Sequence, residues 1–294
     1  MAPRTLVLAA LALTVLPLVT ACAPETVIRR SAFIPGASTP SRTGGELFEG
    51  EVRVAGHMNA IRANADVVEL EDLFTQPGDP GVFIPDYQLG ASAYFGLGNG
   101  FELGGQLGFA SLSWASRNTA GVLPFPAGEE EDLLLGGLGA RYNFMLEHPA
   151  LRLSLLGEFN YVNVPQAVFV LTGDTYTFER IDHDSFILPN VALQFGWEAA
   201  LNAEEGGLDY VFPYLLLGVQ RSITNVGFDD QIANLDDSTL EGYYAGYIGL
   251  GIDARFGRFV IGGSLYLPFE TVERIDFGPS FAFNVGGVFG NVSE

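Results

Sequence analysis

The chain of 294 residues has a single cysteine, so no internal disulfide can form. It has no lysine. All 14 basic residues are arginine, and against 35 Asp and Glu they leave a net charge of −21. So acidic a surface repels a polyphosphate, which excludes nucleic-acid binding. Such a composition suits a high-GC or salt-adapted bacterium. Histidines stand only at 57, 148 and 183, with no paired spacing for zinc. There is no Gly-x-Ser-x-Gly elbow and no cysteine nucleophile. The apolar run from Leu6 to Val19 is shorter than the roughly 20 residues a transmembrane helix needs.

That run follows Arg4 and precedes small residues, the three parts of a secretory signal. It ends on Val19, Thr20, Ala21 and Cys22, the lone cysteine. This resembles the bacterial lipobox, an apolar residue, two small ones and an obligatory cysteine. The resemblance implies that residues 1–21 are removed and that Cys22 receives a diacylglycerol and an acylated amino end. Several acyl chains anchor firmly where one binds marginally. Ala23 follows Cys22 where enteric inner-membrane lipoproteins often carry Asp, which by analogy points to the outer membrane. Residues 23–45 are rich in Pro, Ser, Thr and Gly and lack periodicity, so residues 22–45 read as a lipidated flexible linker.

From residue 46 to 294 the pattern is period two. Tyr87, Leu89, Ala91, Ala93, Phe95 and Leu97 alternate with Gln88, Gly90, Ser92, Tyr94 and Gly96. Ten such segments are expected, at 47–59, 87–97, 101–115, 132–146, 150–163, 189–201, 209–224, 241–255, 258–269 and 279–290. Their connections alternate between long (60–86, 116–131, 164–188, 225–240) and short (98–100, 147–149, 203–207, 256–258). A soluble sandwich has no reason for that alternation. An outer-membrane barrel has short periplasmic turns and long outer loops. Tyr87 and Phe95, Phe101 and Phe109, and Phe281 and Phe289 are spaced by eight on the apolar face. Eight residues at about 3.3 Å and a tilt near 40–45° climb about 20 Å, close to the separation of two aromatic girdles. The alternative is a soluble barrel with the apolar face inward. Its outer face would be mostly Gly, Ser and Gln with sparse charge, too little for a solvated surface.

On these features, and on the glycine-rich hairpin "FGLGNGFELGGQLGF" at 95–109, the chain resembles small bacterial outer-membrane β-barrel proteins, here in a lipoprotein version. The fold class expected is all-β, an antiparallel up-and-down transmembrane barrel of about ten strands. The resemblance implies outer-membrane lipids and the barrel assembly machinery as partners. It also implies a bacterial outer-membrane location, spanning and anchored at Cys22. Two features depart from the family: Phe289 is followed by five more residues, and Pro213 removes a ladder donor inside strand 209–224, which points to a bulge or a later start.

Alternation turns Glu49, Glu51, Arg53, His57, Glu102, Arg141, Arg152, Glu158, Glu198, Asp253 and Arg255 inward. Opposite charges crossing so narrow a lumen pair and plug it, which favours a structural ion-pair network over a narrow path for small solutes. "GLGIDA" at 249–254 matches a dinucleotide pattern but lies in a strand followed by a strand, with no helix N-terminus for the phosphate, so it is rejected. Asp182, His183 and Asp184 sit in the long connection 164–188. Omptin-type proteases also use Asp and His above a ten-stranded barrel, which makes Asp182 and His183 the catalytic candidates of a remote protease alternative. Residues 62–74 are expected to form a short helix on the first outer loop.

Function is therefore expected to be non-enzymatic, structural or surface-interacting through acidic outer loops, with no cofactor beyond the covalent lipid. The acid falls at Asp66, Glu69, Glu71 and Asp72, at Glu129, Glu130 and Glu131, at Asp182 and Asp184, and at Asp229, Asp230, Asp236 and Asp237. Gathered on one rim these carboxylates repel, and calcium is a hard cation able to relieve that. Mass spectrometry of the mature protein should give the mass for cleavage before Cys22 plus acyl chains; an unmodified Cys22 removes the anchor.

Overall fold

A computed structural model describes residues 26–31, 46–60, 82–115, 131–172, 175–201, 208–224, 241–269 and 279–290. These hold β1 (Thr26–Ser31), β2 (Val52–Ala60), β3 (Val82–Gly98), β4 (Phe101–Ala115), β5 (Glu131–Phe144) and β6 (Leu151–Thr172). They continue with β7 (Thr175–Trp197), the two-residue β8 (Ala199–Ala200), β9 (Tyr210–Thr224), β10 (Glu241–Phe256), β11 (Phe259–Phe269) and β12 (Ser280–Phe289). No helix among the described residues is long and apolar enough to cross a membrane.

Strand neighbours run β6, β5, β4, β3, β2, β12, β11, β10, β9, β7, and β7 pairs back with β6, every pairing being antiparallel. That closes a ring of ten strands, so the ring itself has no open edge. The short connections demand special residues. Gly98, Asn99 and Gly100 all have positive φ, at 84°, 52° and 79°, so the tight turn between β3 and β4 uses two glycines and the residue type that best tolerates the left-handed region. Gly257, φ 58°, turns β10 into β11 with Phe256 facing Phe259.

The two faces of the ring are inverted relative to a soluble barrel. Large apolar side chains point outward from every barrel strand, with Leu107 73% and Leu138 74% exposed. All six aromatics of the spaced-by-eight pairs, Tyr87 and Phe95, Phe101 and Phe109, Phe281 and Phe289, are on that exposed face. Inward positions bury Glu, Arg, Asn and Gln instead. Water does not tolerate such an exterior and lipid does. The fold is a transmembrane β-barrel.

Three expectations are corrected. Connection 164–188 is not a loop: β6 and β7, 22 and 23 residues long, continue as one hairpin. A transmembrane strand needs about 9–11 residues, so this hairpin projects well beyond the bilayer. Pro213 brings neither a bulge nor a late start, because β9 begins at Tyr210 and keeps unbroken register with β10. The missing donor is accommodated on the other side, where the β7–β9 ladder stops at Gly196 and Tyr214 and resumes as β8 at Ala199 and Val211. Part of the linker also has order: β1 pairs with the projecting end of β6, from Thr26 opposite Leu171 to Ser31 opposite Gln166. Cys22, the expected helix 62–74, and the acidic clusters at 66–72, 129–130 and 229–237 lie outside the described residues.

Replacing outward Leu107 by Arg should destabilise the barrel by roughly 2–4 kcal/mol. The same change at its inward neighbour Gln106 should be milder, as read from urea unfolding in lipid vesicles.

Candidate functional site

Chemically capable side chains gather in the lumen, because a period of two sends alternate residues of every strand there. Its lower level, at the short-turn end, is organised by Glu102 on β4. Glu102 is 1% exposed and lies between two guanidinium groups, with Arg53 at 3.7 Å and Arg141 at 3.8 Å. Asn143 Nδ2 donates to it at 2.9 Å, and the Leu47 backbone N–H at 3.1 Å. Arg141 donates to Ser154 Oγ at 3.1 Å, and Ser154 donates to Asn143 Oδ1 at 2.6 Å. One buried carboxylate thus joins β2, β4, β5, β6 and the segment entering β2.

That entering segment crosses the floor. Leu47 is buried against Tyr94, Val260 and Val288. Beside it, partial burial lifts the Glu46 carboxyl above its ordinary range, with Arg152 pulling it back down. Arg152 pairs with Glu198 at 3.2 Å on the same rim. Glu51 accepts the Phe48 N–H at 2.8 Å. At the neighbouring turn Asp209 Oδ2 accepts the Gly257 N–H at 2.6 Å, while Arg255 donates to Gly257 O at 2.7 Å and covers the Tyr210 ring at 6.0 Å.

Higher up, Glu158 accepts from Tyr94 Oη at 3.2 Å and from Asn190 Nδ2 at 3.3 Å. Asn190 Oδ1 in turn accepts from Tyr247 Oη at 2.9 Å, whose ring meets Tyr266 at 6.0 Å. This belt runs across the lumen from β3 to β11. Tyrosine is the lumen component that the alternation of charged residues does not single out. Tyr94, Tyr214, Tyr247 and Tyr266 each face a glycine on a neighbouring strand, respectively Gly104, Gly251, Gly218 and Gly249. A Cβ at Gly218 would overlap the Tyr247 ring, and one at Gly251 the Tyr214 ring. Glycine leaves the cross-strand space that lets each ring lie flat along the wall. The inward parity of the tyrosines was a readable signal; their glycine partners required the register.

Of the inward set expected from alternation, Glu51, Arg53, His57, Glu102, Arg141, Glu158 and Asp253 are buried, and Arg152, Glu198 and Arg255 are half-buried at the short-turn rim. Glu49 is a correction. It is exposed in the turn before β2, because the strand starts at Val52 and alternation does not extend back to 49. "GLGIDA" lies inside β10, with Gly249 and Gly251 serving as ring seats.

Asp182, His183 and Asp184 stand on the projecting part of β7. Asp182 Oδ1 accepts from Arg180 Nε at 3.0 Å, and His183 lies 3.7 Å from Glu131. Adjacent residues of a strand point to opposite faces, so Asp182 and His183 do not converge as a dyad.

No protein-family model matches the chain, and no curated relative does. Among solved structures, the β domain of the Bordetella autotransporter BrkA is similar at 14% identity and TM-score 0.47, over 84% of this chain and 100% of that one. LpxR from Salmonella typhimurium is similar at 10% and 0.38, over 81% and 100%. The translocator domain of the autotransporter NalP from Neisseria meningitidis is similar at 12% and 0.39, over 85% and 90%. Likeness at this level adds nothing to the strand pairing and the inverted faces, which define the fold here.

Breaking a buried charge cluster leaves uncompensated ions and costs roughly 3–5 kcal/mol. Glu102→Gln should lower the unfolding free energy of the reconstituted barrel by about that amount, as read from urea unfolding in lipid vesicles. Glu49→Gln, on an exposed turn, should leave it unchanged.

Proposed function

We propose that this protein is a non-enzymatic outer-membrane barrel lipoprotein, held by its apolar belt and by a lipid on Cys22, that works as a structural or surface-interaction element. The apolar exterior around a polar interior carries this reading, since it suits a bilayer and nothing else. The lipobox at residues 19–22 supports the anchor. The hairpin of β6 and β7, standing clear of the membrane with Arg180, Asp182, His183 and Asp184, offers a surface for contact.

The state of the lumen favours this over the channel. Inward side chains on opposite walls are cut off from water, with Asn59, Asp253 and Val162 at 0% and Glu102 and Asn160 at 1%. A water-filled path would expose them. The Glu102 cluster and the belt from Tyr94 to Tyr247 place bonded side chains in the lumen at two levels, which supports a closed interior. A loop-based protease is disfavoured by the divergence of Asp182 and His183 along β7.

In planar bilayers the purified protein should give no unitary conductance steps at moderate voltage. Stable, ion-selective openings that persist across preparations would replace the structural reading with the channel.

A further inference from the structure

A ring of ten strands is wider than the eight-stranded kind that side chains just fill, so closing its mouth takes more than the wall. At the short-turn mouth the added material is residues 46–50. Leu47 is 1% exposed although it stands at the end of the barrel, and it lies against Tyr94 of β3, Val260 of β11 and Val288 of β12. Its N–H reaches Glu102 of β4. The preceding residue, Glu46, is close enough to Arg152 of β6 and to Glu198, just after β7, for their charges to act on it. In the ring order β12 stands five places from β6, on the opposite wall. Two consecutive residues therefore bridge the width of the opening.

The wall is shaped to receive this segment. Gly96 on β3 faces it without a side chain, and a Cβ there would overlap the Phe48 carbonyl oxygen. The Gly50 N–H donates to Gly96 O at 3.0 Å, and the Gly96 N–H to Glu51 O at 2.9 Å. Phe48 O accepts the Glu51 N–H at 3.0 Å, and Gly50 has φ 81°, the value a type II turn requires of its third residue. A Cβ on Gly50 would meet nothing within 4 Å, so the backbone angle and not crowding demands glycine there. Leu47 alone of these side chains is driven fully inside, while Phe48 and Glu49 are exposed. The segment is an arm mounted on a glycine turn, with one buried side chain and one bond to a buried carboxylate near its tip.

We propose that residues 46–50 form a hinged strap that closes the short-turn mouth, pivoting at Gly50 and latched by the Leu47 N–H on Glu102. The latch and the charge cluster are one device, because the carboxylate that holds the strap also holds Arg53 and Arg141. The strap keeps that cluster dry, and the cluster keeps the strap shut. Releasing it uncovers Val260 and Val288 and admits water to the level of the two arginines.

The strap rests on the closed-interior reading above, and the test separates the two. Val288→Cys lies under the strap, and Ala282→Cys lies deeper along β12 at a position equally buried. The full-length protein in lipid vesicles is treated with a small water-soluble methanethiosulfonate, with the parent carrying Cys22 alone as baseline. Both positions should react slowly. Leu47→Gly removes the sealing side chain, whereas Gly50→Ala keeps every sealing side chain and strains only the turn. Either change should speed the reaction of Val288→Cys by about tenfold or more. Fast reaction of Val288→Cys with the strap unaltered, or slow reaction in both strap variants, overturns the strap and leaves the closed interior standing. Fast reaction of Ala282→Cys with the strap unaltered overturns the closed interior as well.

Discussion

Backbone amides in hydrocarbon have no water to bond, and the rest of this structure follows from that constraint. It demands a closed ring, because any sheet edge in the bilayer would strand a row of N–H and C=O groups at several kcal/mol each. The β6–β7 pairing completes the ring. Closure then fixes the side chains: one face of each strand meets acyl chains and the other a narrow interior. Leu, Phe and Val outside and Asn, Gln, Glu, Arg and Tyr inside are the consequence.

The interior had to be filled in a way consistent with that closure. A lumen lined by glycine alone would give little packing. Here tyrosines on one strand lie over glycines on the next, and the Tyr94 and Tyr247 hydroxyls reach the buried Glu158 carboxylate and Asn190 amide. Glu158 and Asn190 illustrate the coupling: each accepts a tyrosine hydroxyl while lying on strands that also carry lipid-facing Phe159 and Val191. At the short-turn end the Glu102 cluster does the same with arginines, and Leu47 ties the incoming chain into it. The interior is therefore cross-linked between strands as well as closed.

Parity was legible in the sequence because lipid selects one face of a strand so strongly. Tyr87 to Leu97 announces β3 without any partner being known. The projecting hairpin was not legible. Around Asp182, His183 and Asp184 both faces of β7 are exposed or half-exposed, so this stretch loses the alternation that marks a spanning strand, and Pro165 adds the look of a loop. Glu49 was misplaced for a related reason: alternation read past the end of a strand assigns a face to a residue in a turn. Pro213 needs no bulge, since the ring absorbs one missing donor by a local break in one ladder. The cross-strand seating of Tyr214 on Gly251 depends on register, which no single strand encodes.

The inverted barrel is tested most directly by depth. With Trp114 and Trp197 replaced by Phe, a single tryptophan is placed at Leu107 or at Gln106 and the protein reconstituted in bilayers whose lipids carry bromine at defined acyl positions. Leu107→Trp should be quenched most strongly by bromine near the middle of the bilayer, and Gln106→Trp should be nearly unquenched at every depth. Equal quenching at the two positions, or strong quenching at Gln106 with none at Leu107, would contradict the assignment of faces on which the whole account stands.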